Sequence, residues 1–334
     1  MARRMRFRKL WVPVGQCLFF AAVLAAVFVL GMASSAVADV LYVGELYGDT
    51  GGVTKWIVEP NSPAVADPVF EPVVAPKATV ALGSDGILYV RAQDLGTVTR
   101  YDSTTGVPLD EEAWATNIGT PTGLTSGPDD ALYVGTWQDS PDVWRIPFSA
   151  PPAVPEPYVD VDTQYSNANL MFGPDDELYM CDANKITKFD GSSVTYFASV
   201  DSQGICLSPD GSTLFATVFW ENQVRTFDLA TGSLLENAFL STPTTGMLTT
   251  GLAFGPDQNN DGQSDLYVQT FTDKTQTGTV MVYDGLNGNL INDSYIDELY
   301  GPMNMVFATS VVPEPSALAL LAAGLLAIAV LRRR

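Results

Sequence analysis

No histidine occurs anywhere in the 334 residues. That absence excludes imidazole general bases, Ser-His-Asp and Cys-His nucleophile systems, and histidine-held metals. Any catalysis would have to rest on carboxylates, lysine, tyrosine or a metal bound through oxygen. Cysteine is almost as scarce: of three, only Cys181 and Cys206 lie beyond the first 38 residues, too few for a disulfide framework. The pair either forms one bridge after export or sits as two separately buried small hydrophobes. Basic residues are the third shortage. Of 17 Lys and Arg, five cluster at the N-terminus and three at the C-terminus, which leaves nine for the body. All 38 acidic residues fall between Asp39 and Ser316, so that stretch carries a formal charge of −29. Phosphate binding needs clustered cations, so nucleic acid is not an expected partner. The charge suits a soluble extracellular protein and the binding of cations, although acidity also serves solubility or salty surroundings alone.

What is present at the two ends reads as processing signals. Residues 1–38 contain no Asp or Glu; Arg3, Arg4, Arg6, Arg8 and Lys9 precede an apolar run from Cys17 to about Met32, and Ala36-Val37-Ala38 follows. A positive segment, an apolar segment and an A-x-A site predict a signal peptide over 1–38, removed by a signal peptidase after Ala38. An uncleaved anchor, which needs about 20 apolar residues, is the alternative. The export route stays open. At the other end, Val312-Pro313-Glu314-Pro315 and Ser316 precede fifteen apolar or small residues, Ala317 to Leu331, and then Arg332, Arg333 and Arg334. As a helix that run reaches roughly 22 Å, short of the roughly 30 Å hydrocarbon core. It can still lodge in a membrane with its cations on the cytoplasmic side. This arrangement resembles the PEP-CTERM sorting signal of Gram-negative bacteria. The resemblance implies recognition by an exosortase-type membrane enzyme and cleavage near Pro313, Glu314 and Pro315. It further implies a transient inner-membrane anchor, then release or attachment at the cell surface, in bacteria that build an exopolysaccharide matrix. A plain C-terminal anchor is the alternative. The expected organisation is therefore 1–38 signal peptide, 39–310 body and 311–334 sorting signal.

Between the signals one unit repeats. A β-prone triplet recurs at Leu41-Tyr42-Val43, Leu88-Tyr89-Val90, Leu132-Tyr133-Val134, Leu178-Tyr179-Met180, Leu214-Phe215-Ala216 and Leu266-Tyr267-Val268, with a mean spacing of 45 residues. Turn signals such as Ser84-Asp85-Gly86, Pro128-Asp129-Asp130 and Pro209-Asp210-Gly211 precede five of the six, and an apolar strand precedes each turn. A third strand follows each triplet and in five copies ends on an aromatic (Trp56, Tyr101, Phe189, Phe227, Tyr283); the remaining copy ends on Ile146. With a weaker fourth strand, each unit reads as one propeller blade. The first triplet has no inner strand ahead of it, whereas Met303 to Ala308 looks like an inner strand with no triplet behind it. The prediction is an all-β, six-bladed propeller of four-stranded antiparallel blades. Its C-terminal strand closes the first blade, and apolar helices flank it at both ends. Seven blades is the alternative. The repeats resemble propellers of the NHL, gluconolactonase and YVTN-like group.

One turn departs from the pattern. Six residues are inserted before the last triplet, giving Asp257-Gln258-Asn259-Asn260-Asp261-Gly262-Gln263-Ser264-Asp265. Asp257, Asn259 and Asp261 alternate ahead of a glycine, and Asp265 and the Gln263 carbonyl can add further oxygens, which is the pattern of a calcium loop. Val268 occupies the position where an EF-hand has Glu, so a calcium loop inserted in a β-repeat and a merely solvated acidic turn are the two readings. Connections between second and third strands usually carry ligands in this architecture. Here they supply Glu45, Asp49, Gln93, Asp94, Trp137, Asp139, Asp182, Asn184, Trp220, Glu221, Asn222 and Asp273. Tryptophans among carboxylates and amides can floor a sugar site, although loops are polar in any propeller and Trp often packs between blades. The expected function is a non-catalytic, exported, matrix- or surface-associated binding propeller. Its candidate partners are the sorting machinery and an exopolysaccharide or surface protein. The alternative is a calcium-dependent hydrolase or lyase resembling gluconolactonases, with Glu45, Asn184 or Asn222, and Asp273 as conceivable counterparts. That family's Glu-Gly-Pro-x-Trp signature is absent, since Gly44-Glu45-Leu46-Tyr47 stands in its place.

Overall fold

The structure, a computed structural model, describes residues 39–47, 51–137, 139–149, 151–160, 167–182, 184–243 and 247–309. The signal peptide, the sorting signal and the two flanking helices expected from them lie outside the described residues. Blade 1 holds β1 (Asp39–Glu45), β2 (Gly52–Val58), β3 (Val65–Ala66) and β4 (Val73–Val74), and blade 2 holds β5 (Ala78–Leu82), β6 (Ile87–Ala92) and β7 (Thr97–Asp102). Blade 3 comprises β8 (Pro121–Ser126), β9 (Ala131–Thr136), β10 (Val143–Pro147) and β11 (Glu156–Val159). Blade 4 comprises β12 (Asn167–Phe172), β13 (Leu178–Asp182), β14 (Lys185–Phe189) and β15 (Val194–Ala198). Blade 5 comprises β16 (Ile205–Leu207), β17 (Thr213–Val218), β18 (Gln223–Asp228) and β19 (Leu234–Ser241). Blade 6 comprises β20 (Met247–Gly255), β21 (Asp265–Thr272), β22 (Thr277–Tyr283) and β23 (Leu290–Tyr300), after which β24 (Pro302–Thr309) returns to blade 1.

The closing strand pairs as its sequence predicts. Strand β24 runs antiparallel to β1, with Phe307 opposite Leu41, Val306 opposite Tyr42 and Met305 opposite Val43. The order in that sheet is β24-β1-β2-β3, so the last strand becomes the innermost strand of the first blade. Six blades close the ring, and closure leaves no inner strand without its sheet.

The repeated triplet explains how the blades stack. Successive side chains of a strand point to opposite faces, and each blade has a neighbour on both faces, so every residue of the triplet must be apolar. The aromatic at its centre reaches forward to the next blade. Tyr42 packs with Leu88 and Val90, Tyr89 with Leu132 and Val134, and Tyr133 with Leu178 and Met180. Tyr179 packs with Leu214 and Ala216, and Phe215 with Leu266 and Val268. Tyr267 packs with Leu41 and Val43, which returns the sequence of contacts to blade 1.

The turn motif serves the same packing. Tyr89 donates its hydroxyl to Asp85 at 2.8 Å and Tyr133 donates to Asp129 at 3.1 Å, so the turn Asp anchors the ring two residues into the strand. The glycine that precedes the turn makes room for that ring. A methyl group at Gly83, Gly173 or Gly255 would stand 2.7 to 2.8 Å from Cε2 of Tyr89, Tyr179 or Tyr267. Gly-Pro-Asp-x-x-Leu-Tyr is thus a packing device here.

Four strands per blade holds for blades 3 to 6 and needs correction for the first two. Blade 2 has three strands, because the segment after β7 carries Pro108, which has no N–H to donate. That segment pairs with the β7 backbone only in isolated bridges, Tyr101 with Pro108 and Val98 with Ala115, beside the Arg100–Asp110 ion pair. The fully buried Trp114 fixes it instead, edge-on to Tyr89 at 4.9 Å and hydrogen-bonded through Nε1 to the Ser149 carbonyl. In blade 1 the outer position is shared by the two-residue strands β3 and β4, both pairing β2.

Candidate functional site

Inner strands from all six blades line an axial channel. Near the first turns lies a cavity of about 370 Å³ with a mixed lining, in which Leu82, Leu124, Met171 and Phe307 stand beside Ser126 and Asn169. Cys206 lies in that lining, whereas Cys181 is buried between blades 4 and 5, and neither forms a disulfide. Burial pushes both thiols up, Cys181 to about 12, so neither is a nucleophile at neutral pH. The repeat tyrosines are likewise held protonated by burial, Tyr42 and Tyr179 at about 12.

The opposite mouth of the channel mixes apolar and hydrogen-bonding side chains. A cavity of about 210 Å³ opens there, lined by Leu46, Arg91, Gln93, Thr122, Trp137, Gln203 and Met303. Gln93 and Trp137 are among the loop residues singled out above. Trp137 is 48% exposed, as a stacking surface must be, while Arg91 beneath it is only 2% exposed. Arg91 and Gln203 were not anticipated. The signal was there: after each triplet stands Gly44, Gly135, Cys181, Thr217 or Gln269, and only in blade 2 a cation.

The remaining loop residues are engaged elsewhere. Glu45 is buried, accepts the Tyr300 N–H at 2.7 Å and the Thr54 hydroxyl, and has its carboxyl pushed up by desolvation. Asp94 pairs with Lys77, Asp139 accepts the Thr120 N–H, Asp182 pairs with Lys185, and Glu221 pairs with Arg225. The Asn184 carbonyl accepts a hydrogen bond from Ser199, and Asn222 Oδ1 is buried without a hydrogen bond. Trp220 is 66% exposed and packs edge-on against Phe219; Asp273 is exposed. Asp49 lies outside the described residues. Among the described residues, no three acidic or cysteine side chains gather closely enough to hold a metal ion.

The inserted loop is a network of side chains on backbone. Asp257 accepts the N–H groups of Asn259, Asn260 and Gly262; Asn259 accepts that of Asp261, and Asp261 accepts that of Gln263. Gly262 adopts φ 83°, the left-handed conformation a sharp turn requires. Asp265 is fully buried: Oδ2 accepts the Gln258 N–H at 2.6 Å, and the Gly285 N–H also faces the carboxylate. Its carboxyl is pushed up by burial first, then by the charges of Asp257 and Asp261. These donors suit Ca²⁺ in type, but this arrangement already satisfies most of their oxygens through N–H groups. The loop also latches the ring. Gln258 donates to the Glu59 carbonyl at 2.9 Å and accepts the Ser62 N–H at 3.1 Å, which ties blade 6 to the outer edge of blade 1.

With this geometry the chain is a six-bladed propeller whose channel mouth holds a buried arginine and an exposed indole. Residues 311–334 match the PEP-CTERM protein-sorting motif, so the C-terminal segment implies export and processing at a membrane anchor by an exosortase-type enzyme. A comparison with curated proteins finds no significant match. Solved structures share the fold. A chain from a nidogen/laminin complex has a TM-score of 0.59 at 15% identity, covering 82% of this chain and 99% of that one. The periplasmic gluconolactonase of Pseudomonas aeruginosa has a TM-score of 0.55 at 15% identity, covering 81% and 99%. A putative 6-phosphogluconolactonase of Bacteroides uniformis has 0.52 at 11%, covering 81% and 100%. At such identities the likeness is one of architecture alone.

Proposed function

We propose that this chain is an exported binding propeller. An exosortase-type enzyme trims it near Pro313–Pro315, and it is delivered to the cell surface or matrix, where the channel mouth engages a saccharide ligand. The sorting motif over 311–334 carries the reading, because it implies export and processing at a membrane anchor whatever the propeller binds. The mouth supports it: a half-exposed indole beside amides and a hydroxyl offers stacking for an apolar sugar face and partners for hydroxyl groups. Glycan-array binding by the full chain tests this, and loss of signal in Trp137→Ala is the expected outcome.

A calcium-dependent lactonase is the second reading, favoured by the architecture shared with the Pseudomonas aeruginosa enzyme. Against it, the Glu45 carboxylate is engaged by Tyr300. Lactone hydrolysis by the purified chain in millimolar Ca²⁺, abolished by chelator, would establish it. Calcium in the loop Asp257–Asp265 is a separate proposal of a structural ion, supported by the alternating oxygen donors of the loop and by a buried Asp265 carboxylate that feels the charges of Asp257 and Asp261. There Asp257, Asn259, Asp261, the Gln263 carbonyl and Asp265 would supply the oxygens.

A further inference from the structure

In a body this acidic, nearly every cation has a carboxylate. Lys55 pairs with Asp67, Lys77 with Asp94, Arg100 with Asp110, Arg145 with Asp129 and Glu156, Lys185 with Asp182, Lys188 with Glu177, and Arg225 with Glu221. Lys274 is exposed to solvent. Arg91 alone is buried without a carboxylate among the described residues. Nε donates to the Thr79 hydroxyl and the Thr122 carbonyl, both at 2.8 Å. Nη1 donates to the Lys77 carbonyl at 2.6 Å and to Gln93 Oε1 at 3.3 Å, while Nη2 makes no hydrogen bond within the described residues. The neutral partners fix the guanidinium plane and supply no counter-charge. Among the described residues the acid that Arg91 feels is Asp94, which is engaged by Lys77 at the surface.

A buried cation that lacks an anion is costly unless its site acquires one. Burial pulls Arg91 down to about 9, so it remains charged at neutral pH. It lines the cavity at the channel mouth together with Trp137, Gln93 and Gln203. About 210 Å³ is below the roughly 300–1,000 Å³ of drug-sized sites and suits one small ring.

We infer that the channel mouth is a subsite for a carboxylate-bearing sugar, a uronic acid residue. Its carboxylate meets Arg91, its ring face stacks on Trp137, and its hydroxyls reach Gln93 and Gln203. An arginine whose plane is already fixed suits a planar carboxylate, since little side-chain freedom is lost on binding. A single buried cation in a negative body selects one carboxylate at short range; a polyanion such as nucleic acid would still be repelled. The inference deepens the saccharide-binding reading above and rests on it.

The test compares glucuronate with its uncharged methyl ester by titration calorimetry on the full chain in detergent. The acid should bind the wild-type protein at least tenfold more tightly than the ester. Arg91→Met should abolish that preference, costing the acid at least tenfold more affinity than the ester. Gln203→Ala, which removes no hydrogen bond of Arg91, should weaken both ligands with the preference retained. Melting curves establish that each variant is folded. If Arg91→Met fails to fold, the acid-to-ester ratio on wild type decides. Equal binding of acid and ester overturns the carboxylate subsite and leaves saccharide binding standing. Undiminished preference in a folded Arg91→Met overturns the role of Arg91, and failure of both sugars to bind overturns the inference together with the saccharide reading.

Discussion

Gly173 has an ordinary backbone conformation, yet alanine does not fit there. Its Cβ would press on Tyr179, whose ring is held between blades 4 and 5. Gly173→Ala should destabilise by about 1–3 kcal/mol, the usual cost of overpacking. At about 2–4 °C per kcal/mol, a thermal melt resolves that loss. Asp110 gives a pH-dependent counterpart. The Arg100 guanidinium grips both of its oxygens at 2.8 Å and holds the carboxyl below the usual carboxylate range. A depressed carboxylate contributes stability that is present above its unfolded value near 3.9 and lost as pH falls through the folded value. Asp110→Asn should therefore lower the melting temperature at pH 7 and show a shallower loss than wild type as pH falls below about 4. The inserted loop tests at this scale as well. An ion that binds only the folded state adds about 2.7 kcal/mol at a hundredfold excess over Kd. Under the calcium proposal, chelator lowers the melting temperature by several degrees and Asp261→Ala removes that response. Identical melts with and without Ca²⁺ would leave the loop an acidic turn.

At the scale of the element, the closing strand carries more than its pairing with β1. Asn304 on β24 donates through Nδ2 to the Val80 carbonyl at 2.8 Å and accepts the Val80 N–H at 2.9 Å, so one side chain joins the inner strands of blades 1 and 2. On the other side, Thr250 donates to the Pro302 carbonyl at 2.6 Å and Gln269 donates to the Asn304 carbonyl at 3.1 Å. The last strand is thus held by three blades. Asn304→Ala should cost about 1–3 kcal/mol by leaving backbone groups of β5 unpaired. Truncation after Gly301 removes the whole strand and exposes the edge of β1; loss of a cooperative unfolding transition by circular dichroism is the expected result.

For the whole molecule, the propeller and the sorting motif make separate demands. Processing is expected to remove Arg332 to Arg334 and to leave a new C-terminus near Pro313–Pro315 in a host that has the sorting enzyme. Intact mass of the mature protein reads this directly, and a retained basic tail would point to a plain anchor. The propeller itself should be indifferent to the cut, because β24 ends at Thr309, before the motif begins.

Much of this architecture is legible in the residues themselves. A strand buried on both faces must be apolar throughout, so the Leu-Tyr-Val triplet announces stacked blades, and an inner strand without its triplet announces closure. Pro313-Glu314-Pro315 with an apolar run and terminal arginines needs no fold at all to be read. Other features needed the ring. Blade 2 loses its fourth strand because Trp114 finds a deeper place between blades, a competition that local propensity cannot weigh. Glu45 looks available in sequence, but only closure brings Tyr300 to its carboxylate. Arg91 is one basic residue among nine in the body until the blades assemble. Then the acids that answer the other buried cations fall out of its reach, and burial turns an ordinary side chain into a charge that awaits a partner.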